Sequence, residues 1–284
     1  MYKLINYYTQ RFPFPYRGWK YFRRLLRNWG IETREYRKKI SNGMFMLVTP
    51  SEHIQQQLFW YGYYEKPVAL FLEHIVDRHS IILDVGANIG YFTLISAKKA
   101  KAGKVFAFEP VKGLFQRLQK NIDQNYLQNV EISQFAVGEA DEDAVIFISS
   151  SENQGMSSVK PPENFSGVSQ PVRIIRIDDW AAKKNIKRLD IIKLDVEGSE
   201  LFALRGMDQT LTRFKPVLIV EINPDTLAYF DLVPGDVLVY LNSRNYIPFK
   251  ISETGSLQQA SYTDANGNIV FIHSEKLNEF SSHT

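Results

Sequence analysis

Between residues 81 and 221, five short apolar runs alternate with stretches of helical periodicity, and this rhythm constrains the fold more than any other feature of the chain. The runs are Ile81-Ile82-Leu83-Asp84-Val85, Lys104–Glu109, Val130–Val137, Asp190–Asp195 and Pro216–Glu221. Helical spacing fills Tyr91–Ala100 and Lys112–Asn125. A strand that is apolar at consecutive positions needs cover on both faces. The pattern therefore predicts an α/β protein with a mostly parallel, doubly wound sheet.

Two regions depart from the rhythm. Residues 145–177 interrupt it with extra strands expected at Val145–Ile148 and Val172–Ile177, and with a loop at Asn153–Gln170 rich in Gly, Ser and Pro. Such a loop is a candidate lid or acceptor-binding element. Near the C-terminus, Thr263–Asn268 reads as a turn before a strand at Ile269–His273, which is expected to close an antiparallel edge. Residues 275–284 read as a frayed tail.

The first 50 residues form an extension of different character. Eleven basic and two acidic residues give residues 1–40 a charge of +9, whereas the rest of the 284-residue chain sums to −6. Pro13 and Pro15 argue against helix before Tyr16. After them Trp19, Phe22, Leu25, Leu26 and Trp29 recur at helical spacing, with Arg17, Lys20, Arg24 and Arg27 mostly opposite. A basic amphipathic helix at 16–30 suits either packing on the main domain or peripheral contact with an anionic membrane. Asn42-Gly43, between Tyr36–Ile40 and Met44–Val48, predicts a hairpin with positive φ at both central turn positions. Residues from Ile54 to His79 then read as helical, with His74 and His79 behind the sheet and His53 within reach of the pocket.

Composition removes several chemistries. With no cysteine there is no disulfide framework, thiolate zinc site, iron–sulfur cluster or cysteine nucleophile. No apolar run approaches the roughly 20 residues that cross a bilayer. No apolar stretch follows the basic start, so a cleaved signal peptide is not expected, and the chain reads as cytoplasmic.

The chemistry concentrates in Asp84-Val85-Gly86-Ala87-Asn88-Ile89-Gly90, between a strand and a helix. Glycines there let the backbone approach a ligand and leave helix N–H groups free. A dinucleotide fingerprint needs a third glycine where this chain has Asp84, and a carboxylate would repel a pyrophosphate. Glu109, at the end of the next strand, is placed to accept hydrogen bonds from two ribose hydroxyls. A ribose, a cation and no pyrophosphate describe S-adenosylmethionine.

The Asp84–Gly90 string resembles motif I of the class I S-adenosylmethionine-dependent methyltransferases. Asp190-Ile-Ile-Lys193-Leu-Asp195-Val-Glu197-Gly198-Ser-Glu200 is similar to the signature of the FkbM-type methyltransferases. So are Tyr64-Glu65, Ala136-Val137-Gly138, Ile177–Trp180 and Pro216–Glu221. The resemblance spans about residues 50–273 and implies a Rossmann-like methyltransferase domain over 51–274. By that resemblance Gly86, Asn88 and Gly90 form the cofactor loop, Asp84 holds the methionine portion and Glu109 the ribose. Pro110, Ala136 and Val137 flank the cofactor, and Glu65 joins the same site. The implied activity is O-methylation of a hydroxyl on a sugar, glycan or natural-product acceptor.

Two arrangements at the later strand ends could serve that reaction. In one, Asp195 or Glu221 takes the hydroxyl proton, with Lys193 beside them. In the other, Asp195, Glu221 and Asn223 bind Mg2+, which lowers the hydroxyl pKa. The +9 head admits a different function, nucleic-acid binding or modification. The acidic body, the lack of a nucleic-acid module and the absence of an Asn-Pro-Pro-Tyr-type string weigh against it, Glu221-Ile-Asn-Pro224 being a loose echo.

Overall fold

A computed structural model describes residue 30 and residues 33–148, 157–160, 165, 167–260 and 266–280. The basic helix expected at 16–30 lies outside these apart from Gly30, as does much of the expected loop at 153–170.

The chain opens with a hairpin, β1 (Tyr36–Lys39) and β2 (Phe45–Val48), followed by helices α1 (His53–Tyr61) and α2 (Lys66–Ile75). The wound unit then runs β3 (Ile81–Val85), α3 (Tyr91–Lys99), β4 (Lys104–Phe108), α4 (Lys112–Asp123) and β5 (Val130–Ser133). Four strands follow: β6 (Ala136–Val137), β7 (Glu142–Ile148), β8 (Ser157–Ser158) and β9 (Val168–Ile175). The chain returns through α5 (Ile177–Lys183), β10 (Ile191–Leu194), α6 (Glu200–Arg205), α7 (Asp208–Phe214) and β11 (Val217–Ile222). It ends with α8 (Pro224–Ala228), α9 (Pro234–Asn242), β12 (Tyr246–Ile251), β13 (Leu257–Gln259), β14 (Gly267–His273) and a 3-10 turn at Ser274–Phe280.

The main sheet has the order β13-β12-β14-β11-β10-β3-β4-β5, and its five strands from β11 to β5 are parallel. Alternation along each strand explains their unbroken apolar runs. Ile82, Val105, Ala107, Ile191 and Ile219 feed the core on one face, with α1 to α4. Leu83, Phe106, Phe108, Ile192, Leu218 and Val220 feed the core on the other, with α5 to α7 and α9. Winding proceeds outward from β3 to β5, then restarts on its other side at β10. The C-terminal ends of β3 and β10 thus flank a topological switch point, where open α/β sheets bind ligands.

Several expectations are corrected. The third run, 130–137, breaks after Ser133, and Ala136–Val137 joins a separate four-stranded sheet of order β6-β9-β7-β8. The inserted strands are longer than expected, and α5 already begins at Ile177. The strand near the C-terminus is internal, lying between β11 and β12, because β12 and β13 extend the sheet beyond it. The hairpin loop holds three residues, Ser41-Asn42-Gly43, and only Gly43 has positive φ, +85°. His79 sits in a turn beyond α2. Residues 274–280 pack Leu277 and Phe280 against the core, so that part of the tail is not frayed. Among the described residues no helix is long and apolar enough to cross a membrane.

Candidate active site

A cavity of about 650 Å³ opens over the switch point, within the usual range for small-molecule sites. Its walls include Val85–Ile89 at the end of β3, Glu109–Val111 after β4, Phe135–Ala140 around β6, Asp195–Glu197 after β10, and Glu221 and Asn223 at the end of β11. His53 reaches it from α1, Tyr64 from the connection between α1 and α2, and Ser157 and Val159 from β8 and the residue after it.

The turn after β3 is drawn tight against its neighbours. Gly86 and Ala87 donate their backbone N–H groups to Phe108 O at 3.0 and 2.9 Å. Gly86 has φ +82°, and a Cβ there would run into the Asp195 carbonyl. Only glycine fits this contact between the ends of β3 and β10. Gly90, φ +93°, faces away from the cavity, where a Cβ would meet Leu118 Cδ1 at 2.5 Å. Its role is to seat α3 against α4.

Glu109 is 4% exposed and braced from both sides. Its Oε2 accepts from Asn88 N and its Oε1 from Val111 N, each at 2.8 Å. Burial still pushes this carboxyl up to about 7, while the two backbone donors hold its oxygens at a fixed place on the wall. Asp84 behaves differently. It is 2% exposed and does not line the cavity. Its Oδ2 accepts from Thr93 Oγ1 at 2.5 Å, while its Oδ1 has no partner among the described residues. Burial raises its pKa and the Lys193 charge opposes that rise. Glu65 is also behind the wall. It takes a left-handed conformation, φ 40°, and accepts from Asn268 Nδ2 at 2.9 Å.

The catalytic candidates do converge. Asp195, Glu197 and Glu221 each place a carboxylate oxygen within 4.8 Å of the others. Lys193, 2% exposed, donates to Asp195 Oδ2 at 2.8 Å, and its Nζ lies 4.7 Å from the centre of the Phe92 ring. Burial works against the Lys193 charge, but Asp195, Glu65 and Asp84 together hold its pKa above the ordinary value. Burial likewise works against the Asp195 charge, but Lys193 and a hydrogen bond with Glu221 bring its pKa below the ordinary value. The Asp195 charge, with burial, pushes Glu221 up to about 10. Burial with the same charge pushes Glu197 up to about 8. Within the pair of Asp195 and Glu221, the lysine favours the negative charge on Asp195, and that charge disfavours a second one on Glu221.

Of the divalent-cation set expected from the sequence, Asp195 and Glu221 come together, with Glu197 as the third carboxylate of the cluster. Asn223 Oδ1 is engaged as the N-cap of α8, accepting from Asp225 N at 3.0 Å. Within the cluster, Asp195 is paired with the Lys193 ammonium. Sequence reading gave no site role to Glu197 or Glu200. Glu200 is 1% exposed and holds the turn after β10, accepting from Val196 N and Gly198 N at 3.1 Å. The available signal was Glu197-Gly198 closely following a strand, a turn in which both residues have positive φ.

A Rossmann-like sheet, a glycine turn at its switch point and a carboxylate on the next strand end define the class I methyltransferase architecture. Residues 84–248 match the methyltransferase FkbM domain, and the chain belongs to that family. Methyltransferase 1 of Beauveria bassiana is 29% identical over 161 residues, covering 50% of this chain and 64% of that protein. The hexuronic acid methyltransferase AglP of Haloferax volcanii is 29% identical over 159 residues, covering 56% of this chain and 62% of that one. The 2-O-methyltransferase NoeI of Sinorhizobium fredii is 27% identical over 184 residues, covering 56% and 73%. The chain thus spans less than two thirds of the length of the first two.

Proposed function

We propose that this chain is an S-adenosylmethionine-dependent methyltransferase that methylates a hydroxyl of a sugar or glycan-like acceptor. The observation that carries the reading is one cavity lined by the Gly86 turn, by Glu109 and by the carboxylates of Asp195 and Glu221, with the turn seated directly against the Asp195 backbone. The names of two relatives, a hexuronic acid methyltransferase and a 2-O-methyltransferase, support a sugar hydroxyl as the acceptor.

The residues present fit the cofactor. Gly86, Ala87 and Asn88 would cradle it, Glu109 would receive its ribose hydroxyls, and Pro110, Ala136 and Val137 would flank its base. When bound, it supplies an activated methyl group. The chain supplies position and a path for one proton. Asp195, held ionised by Lys193, takes the proton that the acceptor hydroxyl gives up as its oxygen is methylated. Glu221, already protonated, stabilises the Asp195 charge through their hydrogen bond and does not compete for that proton.

Calorimetry with S-adenosylhomocysteine tests the cofactor half, with micromolar binding expected. Labelled methyl transfer to a panel of glycans tests the acceptor half, with alkali-stable label on sugar expected. Wild-type protein that binds no S-adenosylhomocysteine would overturn the reading.

A further inference from the structure

The hairpin of β1 and β2 does not line the cavity, yet the side chain of Asn121 ties it to the cofactor loop. Asn121, on α4, is fully buried. Its Oδ1 accepts from Leu47 N in β2 at 2.8 Å, and its Nδ2 donates to Ile89 O in the glycine turn at 2.8 Å. The orientation of this amide is dictated by its partners, because Leu47 offers a donor and Ile89 an acceptor. Gln124 Nε2 donates to the same Oδ1 at 2.8 Å and fixes it further. One turn on, Asn125 grips β2 without reaching the cofactor loop. Its Oδ1 accepts from Phe45 N at 2.9 Å and its Nδ2 donates to Phe45 O at 2.6 Å. The two asparagines thus complete the free edge of β2 as a neighbouring strand would, but only Asn121 continues to the turn.

The Ile89 carbonyl stands between Asn88, whose N–H braces Glu109, and Gly90, which opens α3. Its position sets the pitch of the segment that cradles the ligand. We propose that Asn121 is a positioning residue that couples the hairpin to the cofactor loop, so that ligand bound in the loop and order in β2 stabilise each other. The proposal rests on the cofactor assignment made above, and its test separates the two.

The experiment compares wild type, Asn121→Ala and Asn125→Ala by S-adenosylhomocysteine calorimetry and by thermal unfolding. Asn121→Ala is expected to weaken binding about tenfold, a usual size for coupling between linked sites. Asn125→Ala is expected to lower the melting temperature comparably and leave binding within about twofold. A purely structural asparagine would move both variants together. Hydrogen exchange on the wild type gives a second readout that needs no variant: ligand should slow exchange at Phe45–Val48 as well as at the turn. The proposal is overturned if folded Asn121→Ala binds as wild type does, if Asn125→Ala weakens binding equally, or if ligand leaves exchange at Phe45–Val48 unchanged. A wild type that binds no ligand overturns the cofactor assignment instead.

Discussion

Lys193 and Asp195 stand two residues apart, on the same side of the chain, with Nζ 2.8 Å from Oδ2. Alternation along β10 and its extension produces that pairing. It brings the buried Lys193 ammonium against a carboxylate that lines the cavity. Asp84 sits opposite Lys193 in the β3 register, so the same ammonium also neutralises a second buried carboxylate.

Lys193→Met keeps the side-chain volume and removes the charge. Removing one partner of a buried ion pair costs about 3–5 kcal/mol, because the remaining charges lose their compensation. Urea unfolding should show a loss of that size. Turnover should fall by about 100-fold, the lower range of proton-transfer contributions. S-adenosylhomocysteine binding should change little, since Lys193 supports the proton path.

The two carboxyls of the Asp195 and Glu221 pair should respond unequally. Asp195→Asn removes the group that carries the negative charge, and turnover should drop by about 100- to 10,000-fold. Glu221→Gln keeps a neutral group able to donate a hydrogen bond, and should cost less than about tenfold. Single-turnover rates under saturating cofactor measure both. Equal losses would contradict the assignment of the charge to Asp195.

Glu109 supplies the pH dependence. Its carboxyl is raised by burial from 4.5 to about 7 in the folded protein. Between those values the folded state holds a proton that the unfolded state has released. Stability contributed by this group is therefore present below about pH 4.5 and declines as pH rises towards 7. Binding runs the other way. Ribose hydroxyls donate best to the ionised carboxylate, so S-adenosylhomocysteine affinity should rise from pH 6 to pH 8. Glu109→Gln should flatten that profile and bind more weakly at pH 8, as calorimetry across the range would show.

Much of this was legible in the residues, for identifiable reasons. Strands buried on both faces write themselves as unbroken apolar runs, so β3, β4, β10 and β11 were readable from periodicity. Gly86 was readable because a left-handed residue touching another strand end admits nothing else. Asp84 and Gly90 were assigned to the ligand because the string shows type and spacing, and neither reveals that Asp84 points into the protein at Thr93. The Asn121 link was invisible, since it joins three segments whose contact depends on tertiary packing. The internal place of β14 was hidden for the same reason: Pro248 interrupts β12, and its pairing with residues 267–273 is long-range.

Gly86→Ala tests the closest contact in the site. The added methyl would meet the Asp195 carbonyl, and the backbone at φ +82° disfavours any side chain. Forcing a group into a packed contact costs about 1–3 kcal/mol, with the left-handed conformation adding to it. The strain has one outlet, which is separation of the β3 turn from the end of β10. That movement displaces Asn88 from Glu109 on one side and Asp195 from its place beside Lys193 on the other. The variant should consequently lose cofactor binding and turnover together. Gly90→Ala offers the contrast: its Cβ meets the end of the Leu118 side chain, away from the cavity. It should lower the melting temperature while leaving measurable S-adenosylhomocysteine binding. If Gly86→Ala binds with unchanged affinity in calorimetry, the turn is not the cofactor cradle.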